Sequence, residues 1–189
     1  MEAFLVTLLT VGVSELGDKT QIMVLLLASR FGRSASVLLG MVLALLANNA
    51  IAVFGGTWLR TVVGDEPLGW AIGILFLALA ALALFTRDKR EEHVLRTGRN
   101  AFLVSFISLF LADIADKSQL LTMALAAKYE AVLPVLIGGT LGPTLINLPV
   151  IFLGKFGARR LPQRPIRLAS AALFGIFGAI VLIRGPLHL

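Results

Sequence analysis

Four acidic residues lie in the middle of apolar stretches, where a charge is hardest to keep: Glu15 and Asp18 within residues 3–29, and Asp113 and Asp116 within residues 100–127. An acid at the centre of a membrane helix costs about 2.5–3.5 kcal/mol on insertion scales, so four of them need a use. Each pair is spaced i, i+3, which puts both carboxylates on one face of a helix. Thr20, Gln21, Ser118 and Gln119 lie two and three residues after the second acid of each pair, and Asn49 and Asn147 interrupt later apolar runs, so neutral oxygens are available as ligands or close neighbours. An all-oxygen cluster suits hard cations. No cysteine is present, and His93 and His188 fall in a charged segment and near the tail, which leaves neither thiolate nor imidazole ligation. Carboxylates that share a site compete for protons once a cation leaves, so exchange of a divalent cation for protons follows from the residue types.

Lys19 and Lys117 each follow the second acid of a pair, and one residue along a helix turns the side chain about 100° away. They are read as counter-charges to the site or as tethers between the two acidic segments, not as ligands. Simple neutralisation of the acids as polar helix–helix glue is the bland alternative. It leaves two formal negative charges over from four acids and two lysines, the charge that one divalent cation cancels.

The elements that must hold these residues are set by composition. Of 189 residues 58% are hydrophobic and 15% charged, with mean hydropathy +0.91, against roughly 25% charged in a soluble domain. Such a surface belongs in lipid. Residues 34–59, 67–86, 131–154 and 168–183 carry no charge at all, and about 20 apolar residues span a bilayer core. With 3–29 and 100–127 they make six expected transmembrane helices in an all-α fold. The first is not expected to be a signal peptide, since Met1-Glu2 supplies no basic leader and no small-residue cleavage site follows. The net charge of +6 does not point to nucleic acid, because the basic residues sit in short gaps between apolar runs. If the helices alternate, twelve lysines and arginines, including Arg30, Arg87, Arg99, Arg159 and Arg164, collect on one face and only Arg60, Lys128 and Arg184 on the other. The rich face is cytoplasmic by the positive-inside rule, which places both termini outside.

Sliding the chain on itself by 98 residues aligns SELGDKTQ (14–21) with ADIADKSQ (112–119) and continues through Gly40 and Gly138, Asn49 and Asn147, and Phe76 and Phe174. Two three-helix repeats follow, 1–86 and 100–189, joined by a charged cytoplasmic linker, 87–99. Three helices per repeat force the second copy to enter the membrane from the opposite side, the inverted-repeat plan whose substrate site lies at the midplane. Gly40-xxx-Ala44 and Gly138-xxx-Gly142 read as close-packing faces. Gly17 permits a local helix break at the first motif, where the second has Ala115, so unwinding is expected to be greater in the first repeat. Pro143 and Pro149 are expected to kink the fifth helix.

Two copies of E-x-G-D-[KR]-[ST] on the first helix of each repeat make the chain resemble the calcium/cation antiporter family of GDT type. Glu15-Leu16-Gly17-Asp18-Lys19-Thr20 matches at every specified position, while Asp113-Ile114-Ala115-Asp116-Lys117-Ser118 has Asp for the usual Glu and Ala for the usual Gly. The resemblance covers essentially the whole chain. It implies that Glu15, Asp18, Asp113 and Asp116 bind the transported cation, that bacterial members of this size in the plasma membrane export manganese, and that calcium is the runner-up ion. It also implies a partner set of metal ion, protons and lipid bilayer, with no cofactor and no enzymatic activity. An exporter of amino acids or another small metabolite and an intramembrane aspartyl protease using Asp18 and Asp116 are the competing readings. The first needs a larger cavity, and the second needs an Asp pair sharing one proton. No phosphate-binding loop is present, in keeping with transport that uses no ATP.

Overall fold

The computed structural model describes residues 1–32, 34–85, 100–114, 116–153 and 163–184, and these are helical apart from short turns. Eight helices follow in order: α1 (Glu2–Ser14), α2 (Lys19–Phe31), α3 (Ser34–Val63), α4 (Asp65–Phe85), α5 (Ala101–Asp113), α6 (Lys117–Tyr129), α7 (Val132–Leu153) and α8 (Gln163–Arg184). The linker expected over 87–99 lies outside the described residues.

Among the described residues eight helices stand where six were expected, because both acidic stretches are broken at their motifs. Residues 3–29 become α1 and α2, and 100–127 become α5 and α6, each of 13 residues. At 1.5 Å per residue such a half is about 20 Å long, short of the ~30 Å hydrocarbon core, so neither half is long enough to span one alone. By contrast α3, and α7 up to Phe152, are long and apolar enough to cross alone. Four residues separate α1 from α2 and three separate α5 from α6, so the longer interruption lies in the first half. The helix α7 runs through both Pro143 and Pro149 without interruption.

Chain direction at the remaining turns follows local chemistry. Gly32 ends α2 in the left-handed region at φ 60, its N–H donating to Ala28 O, and Gly64 at φ 83 separates α3 from α4. Asn100 opens α5 by accepting the N–H groups of Phe102 and Leu103.

The helices pack across the two halves of the chain. Helix α3 lies along α5 and α6, α7 lies along α1, and α4 pairs with α8. Glycine permits the closest approaches. A Cβ on Gly40 would stand 2.8 Å from Phe102 O and beside Ser105 and Phe106, and one on Gly138 would stand 2.7 Å from Phe4 O and beside Thr7 and Leu8. These contacts correspond position by position at the 98-residue offset. The core divides into two clusters. One takes Val11 of α1, Leu121 and Leu125 of α6, and the Phe76–Phe174 contact between α4 and α8. The other takes Met23 and Leu27 of α2, Met41 of α3, and Val104 and Leu109 of α5. The first broken segment therefore runs from the first cluster to the second, and the other segment runs back, with an acidic turn between clusters in each. Outside, Phe54, Trp58, Ile74, Ile176 and Ile183 present large apolar surfaces, as a lipid-facing wall does.

Candidate metal centre

The same turn is built twice. In the first, Glu15 closes α1, Gly17 turns the chain at φ 72, and Asp18, extended at φ −78 and ψ 170, opens α2 with Oδ1 accepting the N–H of Lys19 at 2.8 Å. In the second, Asp113 is the last residue of α5, and Asp116, extended at φ −79 and ψ 166, stands before α6. In each, the N–H of the second acid donates to the carbonyl of the first, at 3.2 Å for Asp18 to Glu15 and 3.1 Å for Asp116 to Asp113. The carboxylates thus leave two helix interruptions, not one helical face as the i, i+3 spacing suggests. An aspartate that caps the next helix competes with continuing the previous one, and Gly17 removes the steric cost of the left-handed residue between them.

Three of the four acids converge. Carboxylate oxygens of Glu15, Asp113 and Asp116 all lie within 4.8 Å of one another, and Glu15 and Asp113 are 0% and 2% exposed. Ligands on opposite sides of a calcium-sized ion are about 4.6–5.2 Å apart, twice the usual metal–oxygen distance, so these three groups could hold one ion. Asp18 stands outside the trio. Its Oδ2 faces Lys117 Nζ at 3.1 Å, while Lys19 Nζ faces Asp116 Oδ1 at 3.3 Å. Each lysine therefore pairs with the second acid of the opposite half. Those two pairs leave Glu15 and Asp113 without an ion-pair partner among the described residues, which localises the two surplus charges. Thr20 Oγ1 donates to Asp113 Oδ1 at 3.1 Å, whereas both oxygens of Glu15 are buried with no hydrogen-bond partner. A buried, unpartnered carboxylate is costly enough that it must hold a proton or a cation.

The neutral residues divide. Gln21 turns back, its Oε1 accepting the N–H of Gly17 at 3.0 Å, and so braces the first turn. Asn49 is spent on helix contacts, its Oδ1 accepting from Thr122 and its Nδ2 donating to Thr140. Asn147 donates to Pro143 O in its own helix, and its Oδ1 has no partner. Ser118 and Gln119 line a chamber of about 10 Å³ that also takes in Asp113, Asn48 and Asn49. That is about the room one water needs.

Sequence reasoning missed Asn48, Thr122 and Thr140, all buried here. Their counterparts at the 98-residue offset are Ile146, Val24 and Val42, so a search for what the halves share passes over them. Only their polarity within apolar runs could have drawn notice.

A family model described as "Divalent cation/proton antiporter GDT1" matches residues 3–91 and 101–188, segments whose starts are 98 residues apart. A Vibrio cholerae protein named as a proposed manganese exporter is 37% identical over 92% of this chain and 87% of its own length. A GDT1-like protein of Synechocystis is 30% identical over 95% of this chain and 96% of its own length. A GDT1-like protein 4 of Oryza sativa subsp. indica is 29% identical over 92% of this chain and 70% of its own length. No solved structure matches the chain.

Proposed function

Because this chain belongs to the GDT1 family of divalent cation/proton antiporters, we propose that it carries Mn2+ out of the cytoplasm in exchange for protons. Members of this family are membrane transporters and not enzymes. The observation that carries the reading is the meeting of Glu15, Asp113 and Asp116 at two buried helix interruptions. Glu15 and Asp113 are the charges left after the lysines have paired, and they are neutralised by one divalent cation or by two protons. That equivalence is an exchange mechanism: cation binding expels protons, and protons returning from the other side expel the cation.

The wider plan is six membrane crossings arranged as two inverted repeats, with the site at the bilayer midplane. The reciprocal lysine pairs, the matched contacts of Gly40 and Gly138, and the opposed courses of α1–α2 and α5–α6 between the two core clusters all favour it. Asp18 acts through Lys117 in this scheme, holding the second turn to the first, and Lys19 does the same from the other side. Manganese is placed ahead of calcium because of the name borne by the Vibrio cholerae relative. A chamber of about 10 Å³ gives no support to an amino-acid exporter. A protease dyad fares no better, since Asp18 is tied to Lys117 and lies outside the carboxylate trio.

Proteoliposomes loaded with a Mn2+ indicator decide the matter. Uptake of Mn2+ driven by an imposed pH gradient, with proton movement in the opposite direction, is expected; Ca2+ and Mg2+ in the same vesicles rank the ions. Absence of any divalent flux coupled to protons would overturn the reading.

A further inference from the structure

Asn48, next to the asparagine that the two halves share, is 3% exposed and sits in α3 beside the second acidic turn. Its Nδ2 donates to Phe110 O at 3.0 Å. That carbonyl belongs to the last turn of α5, whose four final carbonyls have no partner within the helix. A carbonyl can only accept, so the bond fixes which end of the amide is nitrogen and leaves Oδ1 as the other. Oδ1 is buried and has no hydrogen-bond partner, and Asn48 lines the water-sized chamber that Asp113, Ser118 and Gln119 share. Leaving a buried carbonyl unsatisfied costs about 1–3 kcal/mol. A group retained at that cost beside a carboxylate cluster is open to a partner that the protein itself does not supply.

We propose that Asn48 is a specificity-determining residue of this transporter: its side-chain carbonyl accepts a hydrogen bond from one water in the chamber, and that water completes the coordination of the cation. The proposal rests on the transport reading above and adds a residue and a selectivity to it. Calcium takes about six to eight oxygens at longer range, whereas a smaller divalent cation completes a tighter shell with fewer, so a site of three carboxylates and one retained water favours Mn2+ over Ca2+. Residue 146, the counterpart of Asn48, is isoleucine. The carbonyl is therefore supplied from one half alone, and the site is lopsided.

The test compares the unaltered chain with Asn48→Leu and Asn48→Asp in proteoliposomes, reading KM and maximal rate for Mn2+ and Ca2+ together with thermal stability. Loss of an outer hydrogen-bond partner of a metal typically weakens affinity about 10–100-fold. Asn48→Leu is expected to raise the KM for Mn2+ by that factor, to change the maximal rate by less than about threefold, and to raise the KM for Ca2+ far less, so that the preference for Mn2+ falls. Asn48→Asp, with a stronger acceptor, is expected to lower the KM for Mn2+ about tenfold, and it decides the question if the leucine variant does not fold. A residue that merely caps α5 gives lowered thermal stability in both variants with unchanged KM ratios, and that result overturns the proposal. If the unaltered chain carries no divalent cation, the transport reading falls and this one with it; if it does and the ratios stay fixed, only the role of Asn48 falls.

Discussion

At the scale of single residues, the four acids are not equivalent. Glu15 and Asp113 have no ion-pair partner among the described residues, while Asp18 and Asp116 face ammonium groups at 3.1 and 3.3 Å. Glu15→Gln and Asp113→Asn should each abolish proton-coupled Mn2+ flux with the protein still folded, because an amide keeps the shape and removes a full unit of compensating charge. Asp113→Glu keeps the charge and restores the side-chain length present at position 15, so retained flux with altered affinity is expected. Asp18→Asn has a different signature. It replaces the carboxylate that faces Lys117 with a buried amide, and its cost should lie between the ~1 kcal/mol of an exposed pair and the ~3–5 kcal/mol of a buried one, because Lys117 is partly exposed. Adding Lys117→Met to Asp18→Asn should recover much of that stability in a thermal melt without recovering transport. Cation binding should also depend on pH with a fixed sign. Only deprotonated carboxylates ligate, so Mn2+ affinity falls as pH falls, and calorimetry in buffers of different ionisation enthalpy should show protons released on binding. Binding independent of pH would remove protons from the exchange.

At the scale of elements, the two interruptions and the glycine contacts decide the geometry. Gly40 and Gly138 touch backbone of the opposite half at 2.8 and 2.7 Å from where a Cβ would stand. Alanine at either position should cost about 1–3 kcal/mol by overpacking. Gly175→Ala, whose nearest neighbour would be 4.0 Å away, should be neutral or gain about 0.5–1 kcal/mol from helix propensity. Equal shifts in melting temperature for Gly138→Ala and Gly175→Ala would contradict this packing. A second contrast lies at the ends of α2 and α6. Gly32 and Glu130 occupy matching left-handed positions at φ 60 and 50, and Glu130 tolerates that conformation while paired with Arg60 at 2.6 Å. Arg60 also donates to Ala127 O and Lys128 O, so it closes the C-terminal end of α6 from α3. Glu130→Gly relieves the backbone and loses a pair whose acid is exposed while its arginine is mostly covered, so the two effects should offset to within about 1 kcal/mol. Arg60→Ala removes the pair and both carbonyl bonds and should destabilise more, as paired melting curves would show.

At the scale of the whole molecule, the proposed orientation rests on the distribution of basic residues, which places both termini outside the cytoplasm. The sequence contains no cysteine, so single cysteines can be placed freely. Glu2→Cys should react with a membrane-impermeant reagent applied to intact cells, and His93→Cys should react only after the membrane is opened. The reverse pattern would overturn this topology. The broad apolar exterior, Phe54 and Trp58 of α3 and Ile176 and Ile183 of α8 among its residues, is the surface on which that orientation is held.

Composition, the 98-residue repeat and the doubled acidic motif were enough to determine an all-helical chain of the membrane and to single out the four acids that stand at its two helix interruptions. These features are local or periodic, and spacing along the chain carries them. The break within each acidic segment was half legible: Gly17 signalled the first, but an aspartate followed by helix formers can continue a helix or cap a new one, and packing across the halves chooses between them. Which acid meets which lysine, why Asp18 leaves the cluster that Glu15 joins, and why Asn49 is consumed while the oxygen of Asn48 stays open were not legible at all. These are contacts between segments about 60 to 100 residues apart, such as Lys117 with Asp18, Thr20 with Asp113 and Asn48 with Phe110. Only the docking of α3 on α5 and α7 on α1, through glycines at backbone distance, brings those partners together.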